Sequence, residues 1–266
     1  MKINKGIFKK DFIDLCKNIE TLYTLVGVPV AIVILFFFFS KQETGIFLTF
    51  NRHIAPLFLE KILNGLNLNI YPASLALFLL QWNTVYFYII GLLIFALPIV
   101  ISSTAFTSEK EQGTIEILFH APISDSDLLF TKMFVSTIPS IFLGALCYLF
   151  MLISSYSHSG YQTFLYMLQL KWLLLHFIII PLYAILSAGI GLCISMIKKN
   201  SRAALLLSML AILPLLLAIV PLIYGNVLFT LKVAIICILI VLFLLFIVAL
   251  VALKLFNREK ILLSYY

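Results

Sequence analysis

Glu109-Lys110-Glu111-Gln112-Gly113-Thr114-Ile115-Glu116-Ile117-Leu118 follows one long apolar run, continues through Ala121-Pro122-Ile123-Ser124, and reaches Lys132 at the foot of the next apolar run. It is the densest acidic cluster in a chain of 266 residues, 63% of them hydrophobic and 11% charged. Ordinary soluble domains carry roughly 25% charged residues, so the chain reads as an integral membrane protein. A compact polar element at the water boundary between two spans reads as something built for a soluble partner to hold.

Working outward, apolar runs long enough to cross about 30 Å of hydrocarbon at about 1.5 Å per residue fall at 22–39, 85–107, 132–154, 172–197, 203–223 and 231–256. The expected fold class is therefore an all-α integral membrane protein with six transmembrane helices, forming one transmembrane domain over 1–266. An even number of spans puts both termini on one side. Of the 18 Lys and Arg residues, all but Lys41, Arg52, Lys61, Lys171 and Lys232 lie on the side of the termini, which the positive-inside rule makes cytoplasmic. The polar segment 108–131 is then cytoplasmic and the connection 40–84 is outside. Trp82 and Trp172 are expected at the outer interface, where indole rings prefer to sit.

Before the first span, residues 1–21 read as an amphipathic interfacial helix. Phe8, Phe12, Leu15, Ile19 and Leu22 recur at spacings of four and three, and Lys10, Asp14 and Lys17 line another face. The following run ends in Phe36-Phe37-Phe38-Phe39-Ser40-Lys41 without a small-x-small cleavage site, so it is expected to remain as a span. Within 40–84, the runs 56–63 and 74–80 are too short to cross; Asn64, Gly65, Asn67, Asn69 and Pro72 mark a turn between them.

Several function classes leave no trace. All carboxylates fall outside the spans, and His176 is the lone ionisable side chain well inside one, cysteines aside. Ion-coupled carriers usually bury charged residues. No zinc, nucleophile-elbow or phosphate-loop motif occurs, and the scattered histidines have no cysteine at ligand spacing. The net charge of +7 comes from dispersed residues without aromatic or glycine interleaving, so nucleic acid is not an expected partner. Cys16, Cys147, Cys193 and Cys237 occupy no expected outer loop, so no disulfide framework is foreseen. Pro29, Pro98, Pro139, Pro181 and Pro214 place one proline in each of the first five spans; hinged helices and the general tolerance of membrane helices for proline both account for them. Ser187, Gly191 and Ser195, spaced four apart, form a small-residue groove suited to packing within the chain or to a dimer seam.

Local chemistry of the polar segment is legible. Gly113 and Thr114 suit a chain reversal into a helix, and Glu116 complements that helix's amino-terminal dipole. Pro122 stops the helix, and Ser124 with Asp127 three residues on signals another start. Ile115, Leu118 and Phe119 share one side and are expected to plug a hydrophobic groove on a partner.

Glu109, Glu111, Gly113, Thr114 and Glu116, followed by Pro122, Ile123, Ser124 and Lys132, resemble the E-x-E-x-G-T-x-E-x-L-x-x-x-P-[IV]-S segment of type 2 ATP-binding-cassette export permeases. In that family the segment joins the second and third of six spans on the cytoplasmic side. The resemblance implies a subunit without catalysis of its own, binding no cofactor, in the cell membrane. A separate ATPase would hold ATP and Mg, with a second permease copy or related permease beside this one. It also implies that the helix near Gly113–Phe119 docks on the ATPase, and that residues 3–20 are the family's connecting helix. One departure is that 224–232 leaves little room for the re-entrant helices some members carry before the last span. An ion-driven or passive carrier leaning on His176, and a membrane sensor or scaffold, are the competing expectations.

Overall fold

The computed structural model describes residues 3–17, 27, 31, 34, 87–159, 161–217, 230–256 and 261. The first span at 22–39 apart from residues 27, 31 and 34, the 40–84 connection, Trp82 and the last turns of the fifth span lie outside those residues. Everything described is helix or short connection, with no strand among the described residues. In chain order the helices are α1 (Lys5–Lys17), α2 (Phe87–Ser103), α3 (Thr107–Glu111), α4 (Ile115–His120), α5 (Asp125–Ser159), α6 (Tyr161–Met167), α7 (Leu170–Leu174), α8 (Ile180–Ile197), α9 (Ser201–Leu217) and α10 (Leu231–Leu255). A single wide π-helical turn, Leu175–Ile179, joins α7 to α8 without interrupting the rod.

Among the described residues four helical stretches are long and apolar enough to cross a membrane: Leu93–Glu111, Asp125–Ser157, Leu170–Ile197 and Leu231–Leu255. They correspond to the second, third, fourth and sixth expected spans. The third is much longer than expected. Its 35 residues reach about 52 Å at 1.5 Å per residue, because Ser124 Oγ accepts from the Asp127 amide (3.2 Å) and starts the helix in water, well before the apolar run. The described part of the fifth span, α9, is a shorter apolar helix over Ser201–Ile212.

Local chemistry explains the breaks. Pro181 lies within the first turn of α8 and has no N–H to donate, and the wide turn directly before it takes up the ring without a sharp kink. In α2, Pro98 is interior, and its carbonyl accepts from Ser102 Oγ at 2.6 Å.

α8 is the central element, packed most extensively on α2 and then on α10 and α5. Lipid tails are as apolar as leucine, so helices associate through close fit more than through exclusion of water. Gly191 shows why that matters: a Cβ built there would lie 2.5 Å from the Ile99 carbonyl oxygen and 3.0 Å from the Ser103 amide. At Gly191, then, the small-residue groove lies against α2 of the same chain. At the opposite extreme, α10 leaves Ile235, Leu239, Phe243, Phe246 and Leu250 exposed, an apolar rim suited to hydrocarbon.

Three buried clusters stack along the bundle. The first surrounds Phe106, Ile115, Phe119, Leu192, Met196 and Phe256 beside the polar segment. A middle layer holds Phe95, Ile99, Leu186, Ile212 and Val241. The third gathers Tyr148, Met151, Tyr166, Trp172, Leu175 and Ile180. Trp172 is fully buried in that third cluster. Residues of α5, α6 and α10 share that cluster, so the ring packs into the protein interior. His176 is also buried, its Nδ1 2.8 Å from the Trp172 carbonyl oxygen and its ring 4.2 Å from that of Tyr148.

Candidate functional site: the segment between α2 and α5

α2 does not run straight into the polar segment. Its last turn tightens, with Thr104 and Ala105 amides bonding to Ile101 and Ser102 carbonyls (3.3 and 3.1 Å), and the chain restarts as α3 after Phe106. A tightened end leaves carbonyls unsatisfied, and Lys132 of α5 donates to the Ala105 oxygen at 3.0 Å. The reversal after α3 depends on Gly113, whose φ of 68° is left-handed backbone that costs other L-residues roughly 1–2 kcal/mol. Gly113 N–H bonds to the Lys110 carbonyl (3.2 Å) and Thr114 N–H to the Glu109 carbonyl (3.0 Å), closing α3 and opening α4. After α4 the chain turns extended at Ala121, as a residue before proline must, and Pro122 ends the helix.

The carboxylates divide by direction. Glu109 is buried, and its Oε1 meets Lys10 Nζ at 2.8 Å and Lys132 Nζ at 3.6 Å, while its Oε2 accepts from the Thr114 hydroxyl. Lys132 also reaches Asp11 at 3.0 Å and lies over the Phe106 ring. The four charges of Lys10, Asp11, Glu109 and Lys132 sum to zero, and they bind α1 to α3 and α5. Asn4 strengthens this seam: its amide donates to Thr131 Oγ1 (3.0 Å), and its side-chain oxygen caps α1 by accepting from the Gly6 and Ile7 amides. Burial opposes the charge on Lys10, but its hydrogen bond and attraction to Glu109, with Asp11 and Asp14 nearby, raise its pKa above the ordinary lysine value.

Glu111 points the other way. It is exposed, and its oxygens accept from the Ser201 amide and hydroxyl, both at 2.7 Å. Lys110, between the two glutamates, is buried and donates to the carbonyls of Met196 (3.1 Å) and Lys198 (2.9 Å). Ser195 likewise does more than leave space: its hydroxyl accepts from the Phe106 amide at 2.9 Å. Ser187 bonds back to the Ala184 carbonyl.

α4 turns its expected plug inward. Ile115 and Phe119 are buried in the chain's own first cluster, with Leu118 partly buried beside them; Phe119 packs against the rings of Phe106 and Phe256. The expectation that Ile115, Leu118 and Phe119 enter a partner's groove is corrected accordingly. α4 is too short to stand alone, and these side chains anchor it. The face turned outward carries Glu116, Ile117 and His120, with Ile117 74% exposed, and Gln112, Gly113 and Pro122 lie exposed beside it. Sequence spacing could have located Ile117, since in Ile115-Glu116-Ile117-Leu118 two isoleucines two apart cannot share a helical face.

Among the described residues no cluster of His, Cys, Asp or Glu is placed to hold a metal ion.

A family model described as "ABC-2 family transporter protein" matches residues 54–215, a stretch that includes α2 to α8, most of α9 and the whole polar segment. No curated protein and no solved structure matches the chain.

Proposed function

The chain belongs to the ABC-2 family of transporter proteins, and on that premise we propose that it is the membrane-spanning permease subunit of an ATP-driven exporter. It works as a dimer or beside a related permease in the cell membrane, with both termini cytoplasmic. The translocation path is formed by the permease pair. ATP and Mg sit on a separate ATPase, whose closure on ATP moves α4. A lipophilic or amphipathic cargo is favoured by the sequence of the spans, whose central residues include no Asp, Glu, Lys or Arg.

The observation that carries this reading is the outward face of α4. A large apolar side chain exposed on a short helix, ringed by Glu116, Gln112 and His120 and anchored from behind by Ile115 and Phe119, has the form of a knob for a soluble partner's groove. Glu109, Glu111, Gly113 and Thr114 hold that knob in place and pass its displacement into the spans.

Purifying the chain with the products of neighbouring genes tests the reading directly. An ATPase is expected to accompany it, and Ile117→Asp is expected to lose the ATPase while the permease inserts normally. Retention of full ATP-driven export by Ile117→Asp at normal expression would refute the assignment of α4. Transport by the chain without any ATPase would favour the carrier alternative.

A further inference from the structure

α8 ends at Ile197, Lys198 caps it in an extended conformation, and α9 begins at Ser201 with its first turn closed by an Ala204 amide to Asn200 carbonyl bond of 3.1 Å. Two helix ends therefore meet at a corner of three residues, 198–200. One carries unsatisfied carbonyls and partial negative charge, the other unsatisfied amides and partial positive charge. Consecutive residues of α3 meet both. The Lys110 ammonium donates to the carbonyls of Met196 and Lys198 at the end of α8, and the Glu111 carboxylate accepts from the amide and hydroxyl of Ser201 at the start of α9. The signs match at each end. Among the described residues no carboxylate comes within ion-pair distance of Lys110, so the carbonyl end of α8 is the counter-charge it has. Two further bonds lie alongside: Phe106 amide to Ser195 hydroxyl (2.9 Å) and Ser201 hydroxyl to Thr107 hydroxyl (3.3 Å).

We propose that Lys110 and Glu111 are positioning residues that cap, from another segment of the chain, the two helix ends at the α8–α9 corner, so that the corner moves as one body with α3 and α4. The corner is then driven from α4 and needs no contact of its own with a partner. Glu111 acts on α9 and not on an ATPase. Glu109 ties α3 to α1 and α5 in the same way, so adjacent residues send one displacement to two sides of the bundle. The functional consequence rests on the permease reading above; the caps themselves do not.

The test uses the full chain in lipid nanodiscs, with Cys16, Cys147, Cys193 and Cys237 replaced by serine or alanine. Hydrogen exchange is read at Ser201 and Arg202, and a spin-label distance is read between His120→Cys and Lys199→Cys. Glu111→Ala is expected to raise exchange at these amides about tenfold, while Glu111→Gln, whose amide oxygen still accepts, stays within about threefold of the native chain. Lys110→Met is expected to broaden the distance distribution, and Lys110→Arg to keep it narrow. Glu111 is exposed, so Glu111→Ala keeps the test informative even if Lys110→Met does not fold. Unchanged exchange in Glu111→Ala would overturn the proposal, as would an unchanged distance distribution in a folded Lys110→Met chain. In the permease purified with its ATPase, the same distance is expected to hold constant on ATP addition in the native chain and to shift in Lys110→Met/Glu111→Ala. A distance that shifts equally in both would overturn the single-body movement. Failure of any ATPase to bind the native chain would count against the permease reading, and the nanodisc measurements would still decide the caps.

Discussion

Lys132→Met removes the cation that touches both the buried Glu109 and the partly buried Asp11. Its ammonium lies 3.0 Å from Asp11 and 3.6 Å from Glu109, with its side chain 2% exposed and that of Glu109 6% exposed. At an effective dielectric near 20, each contact represents about 5 kcal/mol of attraction before desolvation is subtracted. Methionine keeps most of the volume, leaves the cluster with one uncompensated negative charge, and removes the donor to the Ala105 carbonyl. Breaking a buried pair from one side costs about 3–5 kcal/mol. Lys10→Met at the half-exposed end of the same network is expected to cost only about 0.5 kcal/mol. Unfolding by a denaturing detergent in mixed micelles, followed by circular dichroism, measures both. Adding Glu109→Gln to Lys132→Met restores neutrality and is expected to give a total about 1–3 kcal/mol below the sum of the two single losses. A Lys132→Met chain no less stable than Lys10→Met would refute the buried network, and additive losses would refute the coupling.

Gly191→Leu is expected to force α2 from α8 and lower stability by about 1–3 kcal/mol or more, read as a drop in melting temperature; an unchanged melting temperature would contradict the close approach. Single cysteines at positions 112 and 200 are expected to react with an impermeant thiol reagent only after membranes are permeabilised, and one at position 158 to react from outside intact cells; the reverse pattern would invert the topology. Phe8→Asp/Phe12→Asp is expected to destabilise the permease without any partner, because the two stacked rings belong to the apolar stripe expected to enter the membrane interface. Native stability of that variant would make α1 a docking arm.

Apolar run length agrees with α2, the rod Leu170–Ile197 and α10 to within a few residues, because crossing hydrocarbon imposes the same length and composition on any helix. It did not reach the start of α5, because Asp125, Asp127 and Thr131 precede the apolar run; the cap pattern of Ser124 and Asp127 marked that start instead. Hydropathy is also blind to the wide turn at Leu175–Ile179, as every residue there except His176 is as apolar as its neighbours. At the candidate site the sequence marked the segment and its turn chemistry, including the reversal at Gly113 and the start at Ser124. It did not reveal which way each charge faces. Glu109, Lys110 and Glu111 are adjacent, and only the packing of α1, α5, α8 and α9 around α3 assigns them separate partners. Lys10, Asp11 and Ser201 sit about 90 or more residues from those partners, beyond the reach of any local pattern.

The wide turn between α7 and α8 carries a consequence for comparing this chain with others. One residue more than an α-helix needs is absorbed there, so every side chain before it is rotated by about 100° relative to a continuous helix. Deleting any one residue of Leu175–Ile179 would restore regular winding and shift Lys171 and Trp172 out of register with the Pro181 side of the rod, with no loop changed in length. An aligned relative one residue shorter at this place is therefore to be read as having an ordinary helix there, with the gap lying within the span.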